Sequence, residues 1–225
     1  MSGTLAALVV DGSPEPSSPA LVARLAAQAD YVIAADRGAE QCRCAGVVPD
    51  MYCGDDDSAS STTAQWARAE AAHALRFPTE KYATDLALAV NCARHEAARR
   101  GQALQLTLTC ASGGRPDHAL AVLGQLVAAA DACPCLVEDG FEARILSPKG
   151  RTTWELGPDE RGATLSAIAL APMTMISESG LRWELDHFEL PLLDDRGISN
   201  IVTTPHATIT CHTGALIVFL IQQTA

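Results

Sequence analysis

Short polar blocks recur along the first half of the chain, each at or shortly after the end of an apolar run. They are Asp11-Gly12, Asp36-Arg37-Gly38, Gly54-Asp55-Asp56-Asp57-Ser58, Lys81 to Asp85, and Gly113-Gly114-Arg115-Pro116-Asp117. Carboxylates brought together repel one another unless a cation stands between them. Two or three of them beside a glycine loop suit Mg²⁺ bridging a phosphate chain. Paired glycines let backbone N–H groups come close to phosphate oxygens. Arg115 offers phosphate a planar, two-pronged donor, and Lys81 offers a point charge. Taken singly, each block has a plainer reading. Asp55-Asp56-Asp57-Ser58 would serve as a solvated turn, Asp85 as an acid complementing a helix dipole, Asp36-Arg37 as a surface pair, Gly113-Gly114 as an ordinary loop and His118 as a structural residue. Their recurrence at successive strand ends favours the chemical reading.

The elements that must position these blocks alternate in type. Leu5–Val10, Tyr31–Ala35, Met51–Cys53, Leu75–Phe77 and Leu104–Cys110 read as strands. Segments from Pro19 to about Ala29, Ala39–Ala45, Thr62–Ala74, Asp85 to Gly101, and about Asp117 to Ala130 read as helices. Thr84 is placed to cap the fourth of these. Strands alternating with helices imply a parallel sheet with helices on both faces. Ligands bind such sheets at the carboxyl ends of the strands, where the polar blocks lie. After Leu136 the pattern changes to short strand-like runs punctuated by Gly, Pro and Asp, among them Thr174–Ser177, Leu181–Leu185 and Ala207–Cys211. No helix is expected there, and the segment reads as a small antiparallel sandwich or barrel. The expected class is α/β: an N-terminal parallel-sheet domain over residues 1–136, then a smaller antiparallel β-domain over 137–225. The second half also carries Ser177, Ser179, Trp183, Ser199 and Asn200. Without context, these are a core tryptophan and a turn.

Composition sets the limits. A chain of 225 residues makes one large domain or two small ones. A hydrophobic fraction of 48% and a charged fraction of 19% exclude a disordered or collagen-like chain. The net charge of −11 argues against a nucleic-acid backbone or an anionic membrane as partner. The longest apolar run, Ala215–Ile221, is too short to span a bilayer. The first residues lack the basic start of a signal peptide, so a cytoplasmic protein is expected. The eight cysteines form two Cys-x-Cys pairs and no Cys-x-x-Cys, and read as free thiols.

Four ordered blocks resemble the thiamine pyrophosphokinase family. The first is Ala35-Asp36-Arg37-Gly38-Ala39 with Gly46-Val47-Val48-Pro49-Asp50 and Gly54-Asp55-Asp56-Asp57-Ser58. The second is Lys81-Tyr82-Ala83-Thr84-Asp85, and the third is Gly113-Gly114-Arg115-Pro116-Asp117-His118. The fourth is Ser177 to Leu185 with Ser199-Asn200 downstream. Four places depart from the family pattern. Asp56 stands where an aromatic is usual, Arg37 where Gly is common, Asp11-Gly12 where Asn-Gly is usual, and Ile201 where Ser is usual. The resemblance implies an α/β domain followed by a β-sandwich, in a homodimer with active sites between subunits. It implies transfer of pyrophosphate from ATP to the hydroxyl of thiamine, with Mg²⁺, giving thiamine diphosphate and AMP. Carried over, Asp55, Asp57 and Asp85 would hold the metal and triphosphate. Asp36, Lys81, Thr84, Gly113, Gly114, Arg115 and Asp117 would complete the nucleotide and transfer site. The attacking hydroxyl needs a proton acceptor, and among the clustered carboxylates Asp57 or Asp117 is the candidate. Trp183 would stack on thiamine, with Ser177, Ser179, Ser199 and Asn200 close by. Two rival readings remain: a pyrophosphokinase acting on a hydroxymethyl-pterin, and a non-catalytic thiamine or nucleotide sensor.

Overall fold

The computed structural model describes residues 3–54, 61–78, 80 and 82–221. Asp55, Asp57 and Lys81 lie outside these. Two compact units are present. One runs to Gln125 and includes Leu136–Asp139; the other comprises Leu126–Cys135 and the chain from Gly140 onward. The chain thus passes between units more than once, where the sequence suggests a single junction after residue 136.

The first unit contains strands β1 (Thr4–Val10), β2 (Tyr31–Ala35), β3 (Met51–Gly54), β4 (His73–Arg76), β5 (Ala103–Thr109) and β6 (Cys135–Glu138). Its helices are α1 (Pro19–Ala26), α2 (Gly38–Cys44), α3 (Ser61–Glu70), α4 (Asp85–Arg100) and α5 (Pro116–Ala128). The strand order is β6-β5-β1-β2-β3-β4. Strands β5 to β4 of this order pair in parallel, with Val9 beside both Leu108 and Ile33, and Ala35 beside Cys53. Parallel neighbours need a crossover, and the helices supply it. Side chains alternate between sheet faces. Leu8, Val10, Val32, Ala34 and Tyr52 therefore share one face, packed against Leu21, Val22 and Leu25 of α1, Ala39 and Cys42 of α2, and Ala64 and Ala67 of α3. Helix α4 covers the other face, where its Cys92 meets Cys53 of β3. Helix α1 starts at Ser18, whose hydroxyl accepts from the Leu21 N–H, with Pro19 at its first position. Helix α4 starts at Thr84, whose hydroxyl accepts from the Ala87 N–H at 3.2 Å, and stops at Gly101 in the left-handed region.

One boundary differs from expectation. Helix α3 ends at Glu70, and the following strand is His73–Arg76 rather than Leu75–Phe77. All four residues of β4 are exposed at the sheet edge, so no buried face imposed an alternating pattern.

The second unit holds β7 (Phe141–Leu146), β8 (Thr153–Leu156), β9 (Thr164–Ala169), β10 (Thr174–Ser179), β11 (Leu185–Leu190), β12 (Asn200–Ile201), β13 (Ala207–Thr213) and β14 (Leu216–Ile221). The orders are β12-β9-β14-β7 and β11-β10-β13-β8, with antiparallel pairing throughout. Leu165, Ala167, Leu216 and Val218 of the first layer meet Ile176, Leu190, Ile209 and Trp154 of the second in one core. This is the expected β-sandwich. The expected strand Leu181–Leu185 is instead a turn. Leu181 makes one isolated bridge to Val202, and the strand begins at Leu185.

All eight cysteines are free, and five are buried. Among the described residues, no helix is long and apolar enough to cross a membrane.

Candidate functional site

The carboxyl ends of β1, β2 and β5 and the start of α4 enclose a cleft of about 540 Å³. Asp11, Asp36, Arg37, Thr84, Asp85, Gly113, Arg115 and His118 line it. The structure thus brings Asp36, Thr84, Asp85, Gly113 and Arg115 together, as the sequence predicts. Gly114 adjoins them, and both glycines hold positive φ. At Gly114 a Cβ would stand 2.6 Å from the Pro14 ring, so this approach of two loops requires glycine. Asp36 is a buried non-glycine residue at φ 43°, a conformation that persists only where its surroundings over-determine it. The Arg37 guanidinium donates to the Gly12 carbonyl, tying the β1 and β2 loops. The sixteen-residue helix α4 presents its N-terminus to the cleft, which favours an anion there.

Charge in the cleft is unbalanced. Burial pushes the Asp11 carboxyl up to about 6, the Gly12 N–H opposes this, and the neighbouring Asp85 charge adds to it. A carboxylate whose proton affinity is raised by a second one beside it forms with it an oxygen donor set that suits a divalent cation. Among the described residues, no group of three or more His, Cys, Asp or Glu side chains is arranged to hold a metal. Two of the three expected ligands, Asp55 and Asp57, lie outside those residues.

Asp117 pairs with Arg115. Its carboxylate takes a two-pronged hydrogen bond from Arg115, at 3.1 Å from Nε and 2.6 Å from Nη2. That contact holds the Asp117 carboxyl down at about 2.

In the second unit, strand β10 carries two of the expected residues. Ser177 and Ser179 share one face. The Ser177 hydroxyl lies 2.8 Å from His212 Nε2, and that of Ser179 lies 2.8 Å from the Thr208 hydroxyl. Glu178 points the opposite way, into the sandwich, beside Asn200. Asn200 in turn binds the backbone of Trp183, whose side chain is exposed. Ser199, at φ 61°, donates its N–H to the Ser166 hydroxyl at 3.0 Å.

Burial pushes the Glu178 carboxyl up to about 7 from an ordinary 4.5, against the pull of the Asn200 amide. The shift is upward, so folding favours the neutral acid. Its stabilisation is full below about pH 4.5 and is lost as pH rises through 7. Relative to Glu178→Gln, the native chain is expected to lose roughly 3 kcal/mol of stability across that window. Urea midpoints of both proteins at pH 5 and pH 8 check this, and parallel pH curves would refute it.

Comparison with curated protein sequences gives no match. Two family models do match: "Thiamin pyrophosphokinase, catalytic domain" over residues 22–137, and "Thiamin pyrophosphokinase, vitamin B1 binding domain" over residues 154–216. The first alone spans more than half of the chain. The chain belongs to the thiamin pyrophosphokinase family. Its activity is that of the family, thiamine diphosphorylation, a kinase-type group transfer. Solved thiamin pyrophosphokinases share the fold. That of Bacillus subtilis is 20% identical, with a TM-score of 0.79 over 98% of this chain and 100% of its own. That of Candida albicans is 13% identical, with a TM-score of 0.80 over 98% and 94%. That of Geobacillus thermodenitrificans is 22% identical, with a TM-score of 0.76 over 98% and 99%.

In this thiamin pyrophosphokinase, one residue that holds the loops of the cleft was not legible in the sequence. Glu138, at the end of β6, is buried and accepts from the N–H groups of Cys110, Ala111 and Ser112 at 3.0, 2.9 and 3.1 Å. It also accepts from the Ser17 hydroxyl at 2.5 Å. One carboxylate thereby fixes the loop leading to Gly113-Gly114-Arg115 and ties it to the loop after β1. Its sequence signal is faint: an acid closing an otherwise apolar strand.

Proposed function

We propose that the chain transfers the β,γ-pyrophosphoryl unit of ATP to the hydroxyethyl oxygen of thiamine, releasing AMP. The carrying observation is the cleft at the parallel strand ends, lined by Asp11, Asp36, Asp85 and Arg115 and by the start of α4. The attacking hydroxyl meets the β-phosphorus with AMP leaving in line. Such transfers depend on positioning and charge neutralisation more than on covalent catalysis. Thr84, Gly113, Gly114 and Arg115 orient the phosphate chain through backbone N–H groups and a guanidinium, with Lys81 as a further cation. Arg115 exchanges its Asp117 partner for phosphate. The neighbouring Asp11 and Asp85 carboxylates suit Mg²⁺, and Asp85, Asp55 and Asp57 would hold it. When bound, Mg²⁺ supplies neutralisation of the phosphate charge.

Thiamine carries a fixed positive charge, and the exposed Trp183 ring suits a flat cationic ring. Residues 1–136 carry the ATP and metal site, and residues 137–225 carry thiamine binding and dimerisation. The working form is a cytoplasmic homodimer with active sites between subunits. Incubation with ATP, thiamine and Mg²⁺ is expected to yield AMP and thiamine diphosphate in equal amounts, with neither formed when magnesium is withheld. Tight thiamine binding without AMP release would instead support a sensor.

A further inference from the structure

The Asn200 side chain has no hydrogen-bonding capacity left for a ligand. Its Oδ1 accepts from the N–H groups of Trp183 at 3.1 Å and Ile201 at 2.9 Å. Its Nδ2 donates to the Trp183 carbonyl at 2.7 Å and to Glu178 Oε2 at 3.1 Å. A side-chain amide offers two lone pairs and two N–H bonds, and all four are used within the chain. Asn200 is 4% exposed and Trp183 is 58% exposed. A buried amide therefore grips both backbone polar groups of a residue whose ring stands in solvent.

The segment around Trp183 is held at further points. The Arg182 N–H donates to the Ile201 carbonyl at 2.9 Å, and the Thr203 N–H donates to the Gly180 carbonyl at 2.9 Å. Gly180 sits at φ 73°, where a Cβ would stand 2.3 Å from the Thr204 hydroxyl. The turn thus requires glycine. Glu178 sets which way the amide faces. Turned over, Asn200 would place its oxygen against the Glu178 oxygen and its NH₂ against the Trp183 N–H. The second Glu178 oxygen, Oε1, is buried with no hydrogen-bond partner among the described residues. An acid kept here at that cost has a function that an apolar residue would not supply.

We propose that Glu178 and Asn200 are positioning residues that hold the Trp183 indole in the pose that stacks on the thiamine ring, and that neither touches the ligand. This rests on Trp183 being the thiamine contact. It replaces the expectation that Asn200 binds substrate directly.

The test compares Trp183→Ala, Asn200→Asp, Glu178→Leu and Glu178→Gln in the full-length chain, with circular dichroism as the check on folding. Trp183→Ala is expected to raise the thiamine KM about tenfold. Asn200→Asp loses both N–H donors and sets two carboxylates together. Glu178→Leu removes the acceptor that orients the amide. Each is expected to raise the thiamine KM roughly fivefold, with kcat and the ATP KM unchanged. Glu178→Gln keeps an acceptor and restores the native KM. The proposal falls if folded Glu178→Leu matches the native thiamine KM while Trp183→Ala raises it. It falls equally if kcat and the ATP KM move along with the thiamine KM. An unchanged thiamine KM in Trp183→Ala would overturn the thiamine reading of Trp183 itself.

Discussion

Asp85→Asn is expected to lower turnover by roughly two orders of magnitude while the fold survives. Asp85 stands in the first turn of α4 and lines the same cleft as Asp11, Asp36 and Arg115. A carboxylate that holds a divalent cation on a phosphate chain acts where charge stabilisation is worth several kcal/mol. A loss of about 3 kcal/mol at the transition state is a factor of ~100 in rate. The structural cost is smaller. An acid at a helix N-terminus contributes about 0.3–1 kcal/mol, and the Thr84 cap remains. The measurement is kcat at saturating ATP, thiamine and Mg²⁺, beside a thermal midpoint. Native turnover in a folded variant would remove Asp85 from the phosphate site.

The largest stability effect is expected at Glu138. In Glu138→Ala, three consecutive backbone N–H groups and the Ser17 hydroxyl lose their acceptor in a buried place. Breaking a buried charged network by removing one partner costs about 3–5 kcal/mol. For a chain of this length each kcal/mol shifts the midpoint by about 2–4 °C, so a fall of about 10 °C is expected. Glu138→Gln keeps the shape and one acceptor oxygen but loses the charge, and should fall less. Its ATP KM should still rise, because the glycine loop is held more loosely. A midpoint for Glu138→Ala within about 2 °C of the native one would show that other contacts fix the loop.

The two units differ in how far the sequence disclosed them. Asp36, Thr84, Asp85, Gly113 and Arg115 were legible because each follows an apolar run at a strand or helix boundary, and parallel sheets gather those boundaries at one edge. Glu138 was hidden because its partners are backbone amides 26 to 28 residues away and a serine 121 residues away. Amides carry no residue signature. The turn at Leu181–Glu184 misled for another reason. Leu181, Trp183 and Leu185 mimic the period of a strand, yet Gly180 and the Asn200 amide bend the chain there. Strand β10 shows the reverse. Its alternation is real, and it sends Glu178 inward while the two candidates Ser177 and Ser179 face outward, so three neighbouring residues belong to two different neighbourhoods.

The clamp at Glu138 also bears on how the protein is made. Every polar block around the cleft has been synthesised by residue 118, but the carboxylate that locks two of those loops arrives twenty residues later. A growing chain on the ribosome therefore carries all the groups of the cleft before it carries their latch. Assembly of the cleft waits on β6, so a fragment cut just before this strand would inherit the motifs without the rigidity that makes them useful.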